Sequence, residues 1–199
     1  MISRRDYLKL CLATGATLGL KGAPSWAAGS AADKRLEPIT RAIPASGERL
    51  PAVGLGSSAT FAEVARSEDV AAVREVLQAL VEHGGRVFDT APSYGASEAV
   101  AGRIAAELGI TDKLFWATKL NVAGWGGGRA DAAAARAQLE TSFQRIGKPV
   151  LDLIQVHNLG DVPVQLGLLK ELRAEKRVRY IGVTTTIPRQ YAELEQILA

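Results

Sequence analysis

Strand-like and helix-like stretches alternate five times between Val53 and Leu198, with successive strands roughly thirty residues apart. An alternation of that kind calls for parallel β/α architecture, because parallel neighbours need a crossover helix between them. The first strand is Val53-Gly54-Leu55-Gly56-Ser57, and a helix with Val70, Val73, Leu77, Leu80 and Val81 on one face follows, capped by Ser67-Glu68-Asp69 and ended by Gly84. Val87-Phe88-Asp89 is the second strand, and Ser97-Glu98 opens a helix carrying Val100, Ile104 and Leu108. Leu114 to Lys119 is the third strand. Beyond the Gly-rich connection Gly124 to Gly128, Asp131 starts a helix with Ala135, Leu139, Phe143 and Ile146, stopped by Gly147 and Pro149. Leu151 to His157 and Tyr180 to Thr184 are the fourth and fifth strands, with a helix from Asp161 to Lys176 between them and a last one begun by Pro188. Ahead of the alternation, Ile39 to Ile43 and Leu50 to Val53 read as a hairpin turning through Ala45-Ser46-Gly47-Glu48.

Residues capable of proton chemistry fall at the strand ends. Asp89 closes the second strand, and Tyr94 lies five residues on, in a turn made by Pro92 and Gly95. Lys119 ends the third strand and His157 the fourth. Each alone has a plain reading: a strand cap, a packing tyrosine, a solvated lysine, a packed ring. Together they make a set on one rim, the end at which a β/α barrel carries its chemistry. A doubly wound dinucleotide fold is the competitor, since Gly54-Leu55-Gly56-Ser57-Ser58-Ala59 matches its glycine fingerprint. That motif needs a helix starting at the turn and an acid about 20 residues on. Here the first helix is expected about ten residues later and the next strand-end acid, Asp89, is too distant. No Tyr-x-x-x-Lys of a short-chain dehydrogenase occurs either.

At these residues the chain resembles an aldo-keto reductase. The resemblance runs from about Ile39 onward through the hairpin, Gly54-Leu55-Gly56, Asp89-Thr90-Ala91-Pro92-Ser93-Tyr94-Gly95, Ala117-Thr118-Lys119 and Gln155-Val156-His157-Asn158. It implies a TIM-type barrel whose floor the hairpin plugs, and NADPH-dependent reduction of an aldehyde or ketone. By position Tyr94 is then the general acid, Lys119 and Asp89 its tuning pair, and His157 the donor orienting the carbonyl. The resemblance further puts Gly56, Ser57, Ser58, Asp89, Thr184 and Thr185 on the cofactor side. It puts Tyr94, Trp125, His157 and Asn158 on the side of a small carbonyl substrate, and implies no metal. Ser57-Ser58 stands where the family commonly has Thr-Trp, and Thr184-Thr185 where it has Ser-Asn or Thr-His; both pairs keep hydrogen-bonding hydroxyls. The chemistry is sound on general grounds. A phenol with a pKa of about 10 is a sluggish proton donor at neutrality, and a neighbouring ammonium is expected to lower it.

Charge separates the N-terminus from the rest. The formal net charge of +3 resides wholly in Met1–Ala27, where Arg4, Arg5, Lys9 and Lys21 face one acid, Asp6. The remaining chain is neutral, which gives nucleic-acid binding no support. Ser3-Arg4-Arg5-Asp6-Tyr7-Leu8-Lys9 resembles a twin-arginine export motif, and Leu10 to Leu20 is an apolar run far short of the roughly 20 residues a bilayer span needs. Residues 1–31 therefore read as a twin-arginine signal peptide with its processing region, cut after Ala27 or near Ala31, and the product as periplasmic, with the export machinery as a partner. The single cysteine, Cys11, lies in this leader, so the mature chain has no disulfide, catalytic thiol or thiolate metal site.

Residues 36–199 are read as one barrel domain, incomplete at its C-terminus. A full barrel has eight strands in about 250 residues and binds phosphate at the loops after strands seven and eight. Five strands lack those loops, so weak NADPH binding is expected, and their open edges invite a partner chain. The competing function is a catalytically inactive half-barrel or interaction subunit.

Overall fold

A computed structural model describes residues 37–67, 70–124 and 128–199. The leader, Glu68-Asp69 and Trp125 lie outside the described residues. Strands β1 (Thr40–Ala42) and β2 (Arg49–Pro51) form the antiparallel hairpin, with Gly47 at φ 73° in its turn. The main sheet is β3 (Leu55–Gly56), β4 (Val87–Asp89), β5 (Phe115–Leu120), β6 (Leu151–His157) and β7 (Val178–Thr184), parallel and in sequential order. Helices α1 (Thr60–Arg66), α2 (Ala71–Glu82), α3 (Ser97–Glu107), α4 (Ala132–Ile146), α5 (Val162–Ala174) and α6 (Tyr191–Leu198) intervene. This is the α/β architecture of a partial TIM barrel. Unreversed strand order also removes the switch point at which a doubly wound sheet binds a dinucleotide.

Register decides which residues meet. Asp89 pairs with Ala117, Lys119 with Gln155, and His157 with Thr184. Paired residues of parallel strands share a face, and residues two apart along a strand share it too. Asp89, Lys119 and His157 therefore lie on one face, climbing two residues per strand toward the C-terminal rim. The other parity, Phe88, Trp116, Thr118, Leu120, Ile154 and Val156, is fully buried with Leu77, Ile104, Leu139 and Leu169 of the helices. Phe88 stacks edge-on between Phe61 and Trp116 at 5.5 and 5.1 Å.

Opposite the rim, the hairpin is tied to the strand starts through Glu48. Its carboxylate accepts from Arg86 at 2.7 Å, from Tyr180 at 2.8 Å and from Arg179. Burial pushes the Glu48 carboxyl up, but these donors outweigh it and hold it below its ordinary value.

Two helix starts differ from the sequence reading. Helix α1 begins four residues after Gly56, not ten, because Ala59 turns the chain at φ 48° and Phe61 swings onto Phe88. One of the two objections to the glycine fingerprint thus fails, and strand order carries the exclusion instead. The N-cap of α2 is Val70, with no side-chain cap bond. Asp131, by contrast, caps α4 as expected, accepting from the Ala134 N–H at 2.7 Å, with Gly147 left-handed at the other end.

Candidate active site

Lys119 is the centre of the rim. Its side chain is 5% exposed, and its ammonium donates to Asp89 Oδ1 and Oδ2 at 2.7 and 2.8 Å and to the Thr90 carbonyl at 2.9 Å. A buried ammonium is tolerable only when its donors are matched this closely. The Lys119 Nζ lies 5.1 Å from the centroid of the Tyr94 ring, and the His157 ring meets Tyr94 edge-on at 5.9 Å. Asp89, Tyr94, Lys119 and His157 are thus brought together.

Tyr94 is held by its own loop. Its N–H donates to the Ala91 carbonyl at 3.0 Å, and its carbonyl accepts from the Ser97 N–H at 3.1 Å. Burial first, and then the Asp89 carboxylate, push the phenol above its ordinary value of 10.0. The expected lowering by Lys119 does not prevail: desolvation is the larger influence, and the Asp89 carboxylate that holds the ammonium also faces the phenol. Burial, followed by the Lys119 charge, pulls the His157 imidazole down to about 4 against the opposing influence of Asp89. At neutral pH the ring is uncharged and keeps a single N–H to donate.

The residues assigned to the cofactor side divide. Gly56 pairs with Asp89, and Ser57, fully buried, donates its N–H to the Asp89 carbonyl at 2.9 Å. Ser58 is exposed beyond them. The Thr184 carbonyl accepts from the Asn158 N–H at 2.8 Å. The Thr185 hydroxyl is engaged locally, accepting from the Ile187 N–H at 3.0 Å and donating to Gln190, whose amide in turn donates to the Asn158 carbonyl at 2.8 Å. Asn158 is 4% exposed and left-handed at φ 54°, a conformation Asn tolerates better than most residues. Gln190 and the Thr90 carbonyl carry no sequence signal for these parts, since both act through position alone.

Among the described residues, Ser57 Oγ, Thr90 Oγ1 and Asn158 Nδ2, which follow β3, β4 and β6, are buried at this rim with no hydrogen-bond partner. Buried polar atoms left unmatched are uncommon and fit a rim that receives a polar ligand.

A parallel β/α sheet thus carries a lysine–aspartate pair beside a tyrosine and a histidine at the C-terminal ends of its strands. The Aldo/keto reductase family matches residues 52–197, and the chain belongs to that family. It is 36% identical over 141 residues to an aldo-keto reductase of Mycobacterium avium, covering 68% of this chain and 44% of that protein. To the aldo-keto reductase YhdN of Bacillus subtilis it is 30% identical, covering 66% of this chain and 42% of the relative. The chain thus spans less than half the length of these relatives. Among solved structures, an aldo-keto reductase from Klebsiella pneumoniae in complex with NADPH superposes with a TM-score of 0.60 at 27% identity. That match covers 79% of this chain and 54% of the other.

Proposed function

We propose that this fold reduces an aldehyde or ketone to the alcohol with NADPH, Tyr94 acting as general acid. The observation that carries the reading is the Lys119 ammonium, buried on both oxygens of Asp89 and 5.1 Å from the Tyr94 ring. NADPH supplies the hydride when bound. Ser57, Thr90 and Asn158, with their unmatched polar atoms, fit a polar cofactor at the rim, and Gly56, Ser58 and Thr184 adjoin them. The Tyr94 hydroxyl transfers its proton to the carbonyl oxygen as negative charge builds there. The phenolate left behind is stabilised by Lys119, which Asp89 holds in place. Neutral His157 donates one ring N–H to the same oxygen and orients it, a preorganised donor of the kind that favours a developing oxyanion.

The test is NADPH consumption by the purified chain against a panel of small aldehydes and ketones, run beside Tyr94→Phe. Turnover that disappears in the variant supports the reading. No turnover at saturating NADPH would leave the non-catalytic interaction subunit as the better account. We also propose export to the periplasm by the twin-arginine route, from the Arg4-Arg5 motif and the apolar run behind it. Replacing both arginines by lysine should retain the protein in the cytoplasm; unimpaired export of that double variant would rule the route out.

A further inference from the structure

Glu98 is a fully buried carboxylate that the proposed reaction does not use. It stands in the first turn of α3, four residues after Tyr94, with its side chain 1% exposed. The Thr118 hydroxyl donates to Glu98 Oε1 at 2.7 Å, and Arg145 Nη1 donates to Oε2 at 3.3 Å. Thr118 directly precedes Lys119 and points to the opposite face of β5, by the strand's alternation. The carboxylate therefore joins the helix that follows the Tyr94 loop to the strand that carries Lys119.

Neighbouring contacts make the joint tight. Ser97 Oγ donates to the Ser57 carbonyl at 2.9 Å, fixing the same helix start to the end of β3. One turn along α3, Gly102 lets α4 approach so closely that a Cβ there would stand 2.1 Å from the Arg145 carbonyl oxygen. That approach brings Arg145 within reach of Glu98. Burying a carboxylate costs several kcal/mol unless its partners hold it well. An apolar side chain would fill the same space between helix and sheet at lower cost, so a charged bridge at this place points to a demand for position.

We propose that Glu98 is a positioning residue for carbonyl reduction: bridging Thr118 and Arg145, it holds the Tyr94 loop in register over Lys119. The proposal rests on the reading of Tyr94 as general acid, but its test does not require turnover. In the full 199-residue chain, the Tyr94 phenol is titrated by NMR of ring-labelled tyrosine, its resonance assigned with Tyr94→Phe. Thr118→Val removes the hydroxyl and keeps the volume, Glu98→Ala removes the bridge, and Glu98→Gln keeps an oxygen that can accept from Thr118. In the wild type, burial first and then the Asp89 carboxylate raise the ionisation of Tyr94 above its ordinary value. A loosened loop wets the ring, so Thr118→Val and Glu98→Ala should shift the midpoint toward about 10, with Glu98→Gln restoring most of the difference. Where turnover is measurable, kcat should fall by up to about 10²-fold with KM for NADPH unchanged, the signature of a misplaced catalytic group.

A purely structural Glu98 predicts lower thermal stability with the Tyr94 midpoint and kcat per folded molecule unmoved, and that result overturns the proposal. If Glu98→Ala fails to fold, Thr118→Val decides alone. A shifted Tyr94 midpoint in a chain that never turns over would refute the reductase reading and leave the positioning intact.

Discussion

Tyr94 illustrates how little a residue's chemistry follows from its neighbours in number alone. A lysine close to a phenol lowers its pKa only where its charge outweighs burial and any nearby carboxylate, and here burial and Asp89 together raise it. Lys119→Met therefore removes the counter-charge and leaves Asp89 facing Tyr94 unopposed. The phenol should titrate higher still, and turnover should fall by about 10²-fold or more, the scale of general acid catalysis; an unchanged rate would detach Lys119 from the chemistry. His157 sets a second expectation. Its folded value of about 4 lies below the ordinary 6.5, so the unfolded chain takes up the proton first as pH falls. Stability is unaffected above about pH 6.5, declines between 6.5 and 4, and is level below, a loss on the order of 3 kcal/mol at about 1.4 kcal/mol per pH unit. Denaturant midpoints across that range should show this slope, and His157→Gln should flatten it.

At the scale of elements, α3 packs closely against α4 at Gly102. Gly102→Ala sets a methyl group 2.1 Å from the Arg145 carbonyl oxygen, a backbone atom that cannot swing away. The helices must part, at a cost of about 2–3 kcal/mol in unfolding free energy, measurable in urea. Helix periodicity put the apolar face of α4 toward the core correctly, with Ala135, Leu139, Phe143 and Ile146 buried, whereas of the α3 residues it named Ile104 is buried and Val100 and Leu108 are half-buried. It said nothing of Gly102, because a glycine inside a helix reads as a weak helix former until the facing backbone is known. Glu98 was legible only as a helix opener for the same reason: an acid at a helix start is ordinary by propensity and dipole. Only the position of β5 reveals it as buried. Helix α1 escaped because seven residues hold too few turns for periodicity to register.

For the molecule as a whole, β3 and β7 end the sheet order, each paired on one side among the described residues. We propose that a partner surface covers these edges, since open parallel edges invite pairing. The isolated 199-residue polypeptide should bind NADPH weakly, because barrel scaffolds take their phosphates at loops after strands seven and eight. Quenching of Trp116 and Trp125 fluorescence tests this, and saturation at micromolar NADPH would contradict it. The alternation of strands and helices, the hairpin, the Asp131 and Gly147 helix limits and the rim positions of Asp89, Lys119 and His157 were all readable from the sequence. They are local properties, set by periodicity of two or 3.6 residues and by turn chemistry. The stagger that puts those three side chains on one face, the sign of the Tyr94 shift and the burial of Glu98 were decided by tertiary structure alone. The stagger follows from the register between strands, and the other two from which atoms of distant segments exclude water around a charge; no spacing along the chain encodes either.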